Sequence, residues 1–269
     1  MKVKARCCLA GLAMCLWGTA EPAAAAEIAP HRAVYDMSLL HGGANSDVAD
    51  VSGTMQFEWA DSCDGWAVTQ RTRMTFLYHT GAQFELGWNL VSWESKDGLR
   101  YRFFVRKLEN GEMGEEFRGE ARLDGAGKGG AAKYSLPAER TVPLPPGTHF
   151  PTVHSLRLLE RAAAGDRLFW ALVFDGSDAD GLFGVSAAIA TRLEPEQGTT
   201  ERSPLLAAEP SWRVEIAFFA AEGEAAEPEH EQRLRVHANG VVEELILDYG
   251  DFSVSAKLRE IARLMPPPC

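Results

Sequence analysis

Apolar and polar residues alternate along most of this chain with a period of two. That spacing turns one side of an extended strand inward and leaves the other in water. Val51, Gly53, Met55, Phe57 and Trp59 fall on one face, and Ser52, Thr54, Gln56 and Glu58 on the other. The same pattern predicts strands over residues 33–39, 66–78, 84–93, 99–108 and 112–123. Asp64-Gly65, Asp97-Gly98 and Asn110-Gly111 supply hairpin turns between them. The Gly-rich stretch 124–130 reads as a flexible loop. The five prolines of segment 137–151 argue against ladder pairing through most of it. One helix follows: Thr152 is its expected cap, Val153, Leu156, Leu158, Leu159 and Ala163 its apolar face, and Gly165 its stop. Strands then resume over 168–174, 182–193, 212–219, 232–236, 241–247 and 252–258, with turns at Asn239-Gly240 and 249–251. The acidic, Ala-rich run 220–229 reads as a solvated loop.

Roughly thirteen strands and one helix predict an all-β fold, a single domain over residues 27–269. A sheet of that many strands must curl, close or stack. The favoured arrangement is a long antiparallel sheet wound as an open spiral or barrel, with the helix plugging its concave side. A β-sandwich is the second choice.

The cysteines divide into two groups. Cys7, Cys8 and Cys15 lie in a leader with Lys2, Lys4 and Arg6 in front, an apolar stretch from Leu9 to Trp17, and Ala24-Ala25-Ala26 as the cleavage site. Residues 1–26 therefore read as a signal peptide and the mature chain as a soluble periplasmic protein. No later stretch approaches the run of about 20 apolar residues that a spanning helix needs. Neither Met14 before Cys15 nor Arg6 before Cys7 suits a lipidated cysteine. Only Cys63 and Cys269 remain, and an even count in an exported chain predicts one disulfide between them. In the chain-entropy view, closing a loop of about 200 residues stabilises by roughly 5 kcal/mol at most.

The net charge of -11 becomes more negative once the leader's three cations leave with Glu21. That disfavours nucleic acid and anionic lipid as direct partners, although solubility alone accounts for it. Candidate chemistry is sparse. The seven histidines show no metal spacing. Residues 175–181 resemble a calcium loop but miss its register, because Gly176 and Ala187 stand where acids belong. There is no nucleophile elbow and no phosphate loop. Glu85 with Glu94, or Asp248 with Asp251, would be the carboxylate pairs of a glycan hydrolase; solvated surface acids are the simpler reading. No catalytic residue, metal or cofactor is assigned. Trp59, Trp66, Trp88, Trp93, Trp170 and Trp212 all fall in or beside predicted strands. They either fill a core or line an apolar groove for a lipid, acyl chain or peptide.

Five segments in order resemble the EipB-like cell-envelope integrity proteins of alphaproteobacteria. They are residues 31–39, the Cys63-Asp64-Gly65-Trp66 turn, the Phe150-Pro151-Thr152-Val153-His154 helix start, residues 173–178, and the last strand leading to Cys269. The resemblance implies a spiral sheet around a helix, the Cys63–Cys269 bridge, and a role in keeping the envelope intact under stress. It also implies a periplasmic tetratricopeptide-repeat protein as partner. It carries over no catalytic residue. The expected function is non-enzymatic binding of a protein or a lipid or lipoprotein ligand through the curved sheet. An envelope glycan hydrolase and a ligand-free scaffold are the alternatives.

Overall fold

The computed structural model describes residues 27–179, 181–195, 203–207, 210–221 and 227–269. The expected leader lies outside them, as do Asp180 and the middle of the acidic run 220–229. The first half of the chain is an antiparallel meander: β1 (His31–Gly42), β2 (Val48–Asp61), β3 (Gly65–Tyr78), β4 (Gln83–Ser95), β5 (Arg100–Glu109), β6 (Glu112–Leu123), β7 (Gly130–Leu136) and β8 (Arg140–Leu144). A two-residue strand, β9 (Thr148–His149), leads into helix α1 (Pro151–Ala164). The second half comprises β10 (Leu168–Phe174), β11 (Leu182–Ile189), a one-turn helix α2 (Pro204–Ala207), β12 (Ser211–Ala220), β13 (His230–His237), β14 (Val242–Asp248) and β15 (Phe252–Arg263).

All fifteen strands form one sheet in the order β8-β7-β6-β5-β4-β3-β2-β1-β15-β14-β13-β12-β11-β10-β9. The two ends of the chain thus meet in the middle of the sheet, where β1 pairs with β15. The two edge strands, β8 and β9, are consecutive in sequence, joined by residues 145–147. Among the described residues no ladder links β8 to β9, so the barrel is nearly closed and its seam is filled by side chains. A single continuous sheet replaces the sandwich alternative.

Two expectations need correction, and one holds with an exception. Most of the proline-rich segment stays outside the ladder, but residues 140–144 pair as β8, whose Pro143 an edge strand tolerates because one row of its amides faces away from the ladder. The stretch 124–130 is a hydrogen-bonded hairpin turn, in which Asp124 donates to Gly129 O at 2.9 Å and Lys128 to Gly125 O at 3.0 Å. In the 61–65 turn, Cys63 takes the left-handed conformation (φ 66°) that Gly65 was expected to supply. Gly65 is needed for space instead, since a Cβ there would strike the indole of Trp93.

Helix α1 lies across the concave face. Leu158, Leu159 and Ala162 pack in one cluster with Trp59 and Trp66 from the first half and with Val173, Val185 and Trp212 from the second. Ala163, expected on that face, is exposed, and Ala162 takes its place. Thr152 is not the cap. Phe150 occupies the N-cap without a side-chain bond, and the amides of Thr152 and Val153 donate to the carboxylate of Glu94 on β4, at 2.6 and 2.9 Å. Gly165 (φ 86°) does end the helix.

Cys63 and Cys269 are joined, with Cα atoms 5.8 Å apart across a sequence separation of 206. The sheet makes this possible. His31 of β1 sits opposite both Arg263 and Trp59, so the end of β15 lies only two strands from the turn that carries Cys63.

Candidate functional site

Alternation on β4 to β7 sorts side chains into two sets. Inward go Tyr101, Phe103 and Val105 from β5, Phe117 and Ala121 from β6, and Tyr134 from β7; Leu144 of β8, Phe150 and Phe174 complete one buried cluster. Tyr101 stacks on Phe150 at 5.2 Å, and Phe103 meets Tyr134 at 5.1 Å and Phe174 at 5.6 Å. These rings close the seam between the sheet edges. One cavity on the concave side, between Tyr35, Met55, Phe57 and Leu245, measures about 140 Å³.

The outward set forms a larger feature, a groove of about 970 Å³ across β3 to β8. Its floor is Ala67, Val91, Trp93 and Phe104; its cations are Arg102, Arg118, Lys133 and Arg140; Glu120 and Glu139 are its acids. Register assembles it. Trp93 lies opposite Arg102, and Arg102 opposite Glu120, which faces Lys133. In the next row Val91 faces Phe104, and Phe104 faces Arg118. Arg102 and Arg118 are therefore diagonal neighbours, about 7–8 Å apart at the backbone.

The arginines are held against aromatic rings. The guanidinium carbons of Arg100 and Arg102 lie 5.3 and 5.1 Å from the Trp93 ring centre, and that of Arg118 lies 4.4 Å from Phe104. Among the described residues, no carboxylate is within ion-pair distance of Arg102, Arg118 or Lys133, whereas Arg106 pairs with Glu116 at 2.9 Å. Val91 is 50% exposed despite its apolar side chain. The disulfide-linked turn supports the groove from one end: Trp93 Nε1 donates to Ser62 Oγ at 3.0 Å, and Lys96 sits 3.2 Å over the Trp66 ring.

The carboxylates considered from sequence do not assemble. Glu85 and Glu94 lie at opposite ends of β4, about 30 Å apart at strand rise. Glu85 contacts exposed Arg73, while buried Glu94 caps α1. Burial pushes the Glu94 carboxyl up to about 7, against the two amides that favour its charge. Asp248 pairs with Arg233, and Asp251 offers its backbone carbonyl to Gly43.

The calcium-like loop serves the seam. Tyr101 Oη donates to Asp175 O and Tyr134 Oη to Asp178 O, both at 3.1 Å. The Asp175 carboxylate accepts from Ser177 N at 2.8 Å, and burial raises its pKa to about 6. No group of three metal-type side chains forms among the described residues. His154 stacks on Phe169 at 5.4 Å, and burial lowers its pKa to about 4. The tryptophans take both roles foreseen for them. Trp59, Trp66 and Trp212 are core, Trp93 floors the groove, and Trp170 is 62% exposed on β10.

Sequence reasoning overlooked Arg102, Arg118 and Lys133. The signal lay in Arg100, Arg102, Phe104 and Arg106, which recur at a period of two on a predicted strand.

The fold and groove now have relatives to set beside them. The EipB-like family model matches residues 22–265, nearly the whole described chain. This chain belongs to the EipB-like family. It is 30% identical over 244 residues to the cell envelope integrity protein EipB of Brucella abortus (strain 2308), covering 90% of this chain and 86% of that protein. It also resembles the crystal structure of a beta-barrel-like protein of domain of unknown function DUF1849 from Brucella abortus. There the TM-score is 0.81 at 27% identity, over 90% of this chain and all of the other. The relatives support a cell-envelope integrity role for this EipB-like chain, and no helix among its described residues is long and apolar enough to cross a membrane.

Proposed function

We propose that this chain is a periplasmic, non-catalytic factor for envelope integrity that acts by binding on the outer face of its sheet. The carrying observation is the contrast in space: the concave-side cavity between Tyr35 and Leu245 measures about 140 Å³, whereas the outer groove offers about 970 Å³. That volume is in the range of small-molecule sites, and the concave-side cavity is below it. The lipid-carrier version, with a ligand inside the curved sheet, therefore gives way to surface binding. The acids proposed for hydrolysis either cap backbone amides or lie in solvent, which supports a role without catalysis.

A protein partner has its own supporting observation. Leu168 and Trp170 of β10 are 74% and 62% exposed on a strand that β9 covers only at Leu172 and Val173. A tetratricopeptide-repeat protein, the partner implied by the family resemblance, would find an apolar foothold there.

The test is genetic. A strain lacking the gene is complemented with wild type, with the groove-floor variant Trp93→Ala/Phe104→Ala, or with Trp170→Glu, and survival in detergent is scored. Loss of protection by a folded groove-floor variant is the expected result. Full protection by that variant overturns the outer groove as the working surface. Cleavage of purified envelope glycan by wild type, lost on Glu94→Gln, would overturn the non-catalytic reading.

A further inference from the structure

The groove runs against the charge of the molecule that carries it. The chain has a net charge of -11, yet Arg102, Arg118, Lys133 and Arg140 converge on the groove against Glu120 and Glu139, and the adjoining surface carries Arg100 and Arg122 against Asp124. Solubility asks only for net charge and not for a local reversal of sign. Three further features narrow the ligand. Arginine offers planar N–H pairs that match oxyanions, and rings beneath Arg102 and Arg118 hold their guanidinium groups in place. Their diagonal spacing of about 7–8 Å lets one tetrahedral oxyanion accept from both. The floor directly beside them is apolar: Val91 is half exposed, and Trp93 and Phe104, partly buried beneath their arginines, border it.

Resting on the outer groove as the binding surface, we propose that its ligand is the phosphate-bearing end of a membrane lipid. The phosphate lies between Arg102 and Arg118, with Lys133 beside it, and the first part of the apolar chain covers Val91, Trp93 and Phe104. Glu120, between Arg102 and Lys133, disfavours a second negative charge at that row and points to a single phosphate over a polyanion. An acidic peptide would satisfy the cations but leave the apolar floor without a matching group. The expectation from total charge, that anionic lipid is a poor partner, is thus reversed locally.

The test is calorimetric titration of the disulfide-intact mature protein with dodecyl phosphate below its micelle threshold. Inorganic phosphate, dodecyl maltoside, dodecyltrimethylammonium and an oligoglutamate peptide are titrated in parallel. Dodecyl phosphate should bind at least about tenfold tighter than inorganic phosphate, since burying two methylene groups already gives that factor. Added salt should weaken it. Arg102→Glu/Arg118→Glu should reduce binding by about tenfold or more, and Arg213→Glu, on the far half of the sheet, should leave it unchanged. Should the charge reversal disturb folding, Arg102→Gln/Arg118→Gln decides by the same readout. Equal affinity for inorganic phosphate, equal affinity for the maltoside, or preference for oligoglutamate each overturns the lipid assignment. So does the absence of binding to dodecyl phosphate. If the groove-floor variant still fails to protect the envelope, that leaves the groove as the working surface with another occupant. If it protects fully, both readings fall.

Discussion

The inner and outer faces of β5 both carry large side chains and put them to opposite uses. Inside, Tyr101, Phe103 and Val105 are fully covered and hold together two sheet edges that have no ladder between them. Outside, Arg102, Phe104 and Arg106 alternate with them one residue out of step, and their rings carry cations toward solvent. The inner set is constrained by volume, because every ring touches several others and none can change size freely. The outer set is constrained only by register. Substitutions inside should therefore cost stability, and substitutions outside should cost binding while the fold persists.

The sharpest way to break this contrast is Phe174→Ala. Phe174 is completely buried and meets Tyr101, Phe103, Tyr134 and Phe150. Its loss should destabilise by about 3–5 kcal/mol in a denaturant melt. A change below about 1 kcal/mol would show that the seam is held by something other than its rings.

Cys63→Ser comes next. Removing the bridge should cost about 2–5 kcal/mol, and reductant should lower the wild-type Tm in the same direction. Because the Cys63 turn contacts Trp93 through Ser62, this variant should also weaken groove binding, which joins the two faces at one end. An unchanged melting curve under both treatments would remove the bridge from the stability argument.

Glu94→Gln should cost about 1–3 kcal/mol, since Gln offers one acceptor oxygen where the carboxyl offers two and one of the capped amides of α1 loses its partner. Its pH dependence is more telling. Burial raises the folded pKa of Glu94 from 4.5 to about 7. Between those values the folded state holds a proton that the unfolded chain releases, so this group's contribution falls as pH rises, by up to about 1.4 kcal/mol per pH unit. Asp175, raised from 3.8 to about 6, acts in the same sense. His154, lowered from 6.5 to about 4, opposes them, because between those values the unfolded chain binds a proton that the folded form does not, so its contribution falls as pH falls. The wild-type curve alone mixes these signs. The difference between wild type and Glu94→Gln isolates the carboxyl and should grow from pH 8 to pH 5. A difference that stays flat would mean that Glu94 titrates as an ordinary acid.

The smallest effect on the fold is expected from Arg102→Glu/Arg118→Glu, within about 0.5 kcal/mol for exposed positions. A large loss of stability there would place these arginines in the fold and not in recognition.

Which parts were legible beforehand follows from the range of the interactions involved. The period of two in residues 51–59 placed Val51, Met55 and Trp59 inward, where the structure has them. Gly165 was readable as the helix stop because a left-handed cap depends on one residue's own backbone. The other end of α1 was not, since its cap is Glu94, 58 residues away from Thr152. Strands β7 and β8 were obscured by Pro143, which is harmless only because β8 is an edge, and edge position belongs to the assembled sheet. Glu85 and Glu94 looked like a pair in sequence and lie about 30 Å apart, because strand rise carries residues away from each other faster than a helix does.

By itself, the sequence determined which residues alternate, where the chain turns, that Cys63 and Cys269 are the two cysteines outside the first fifteen residues, and which family the chain resembles. All of these are local or counted properties. Tertiary structure alone decided that the ends of the chain meet at β1 and β15, that packed rings and two tyrosine hydroxyl bonds close the barrel where a strand ladder would, and that Arg102, Arg118 and Lys133 from three strands share one groove. Those facts depend on register between segments far apart in the chain. A one-residue slip there would exchange the inner face for the outer, and no short stretch of sequence records it.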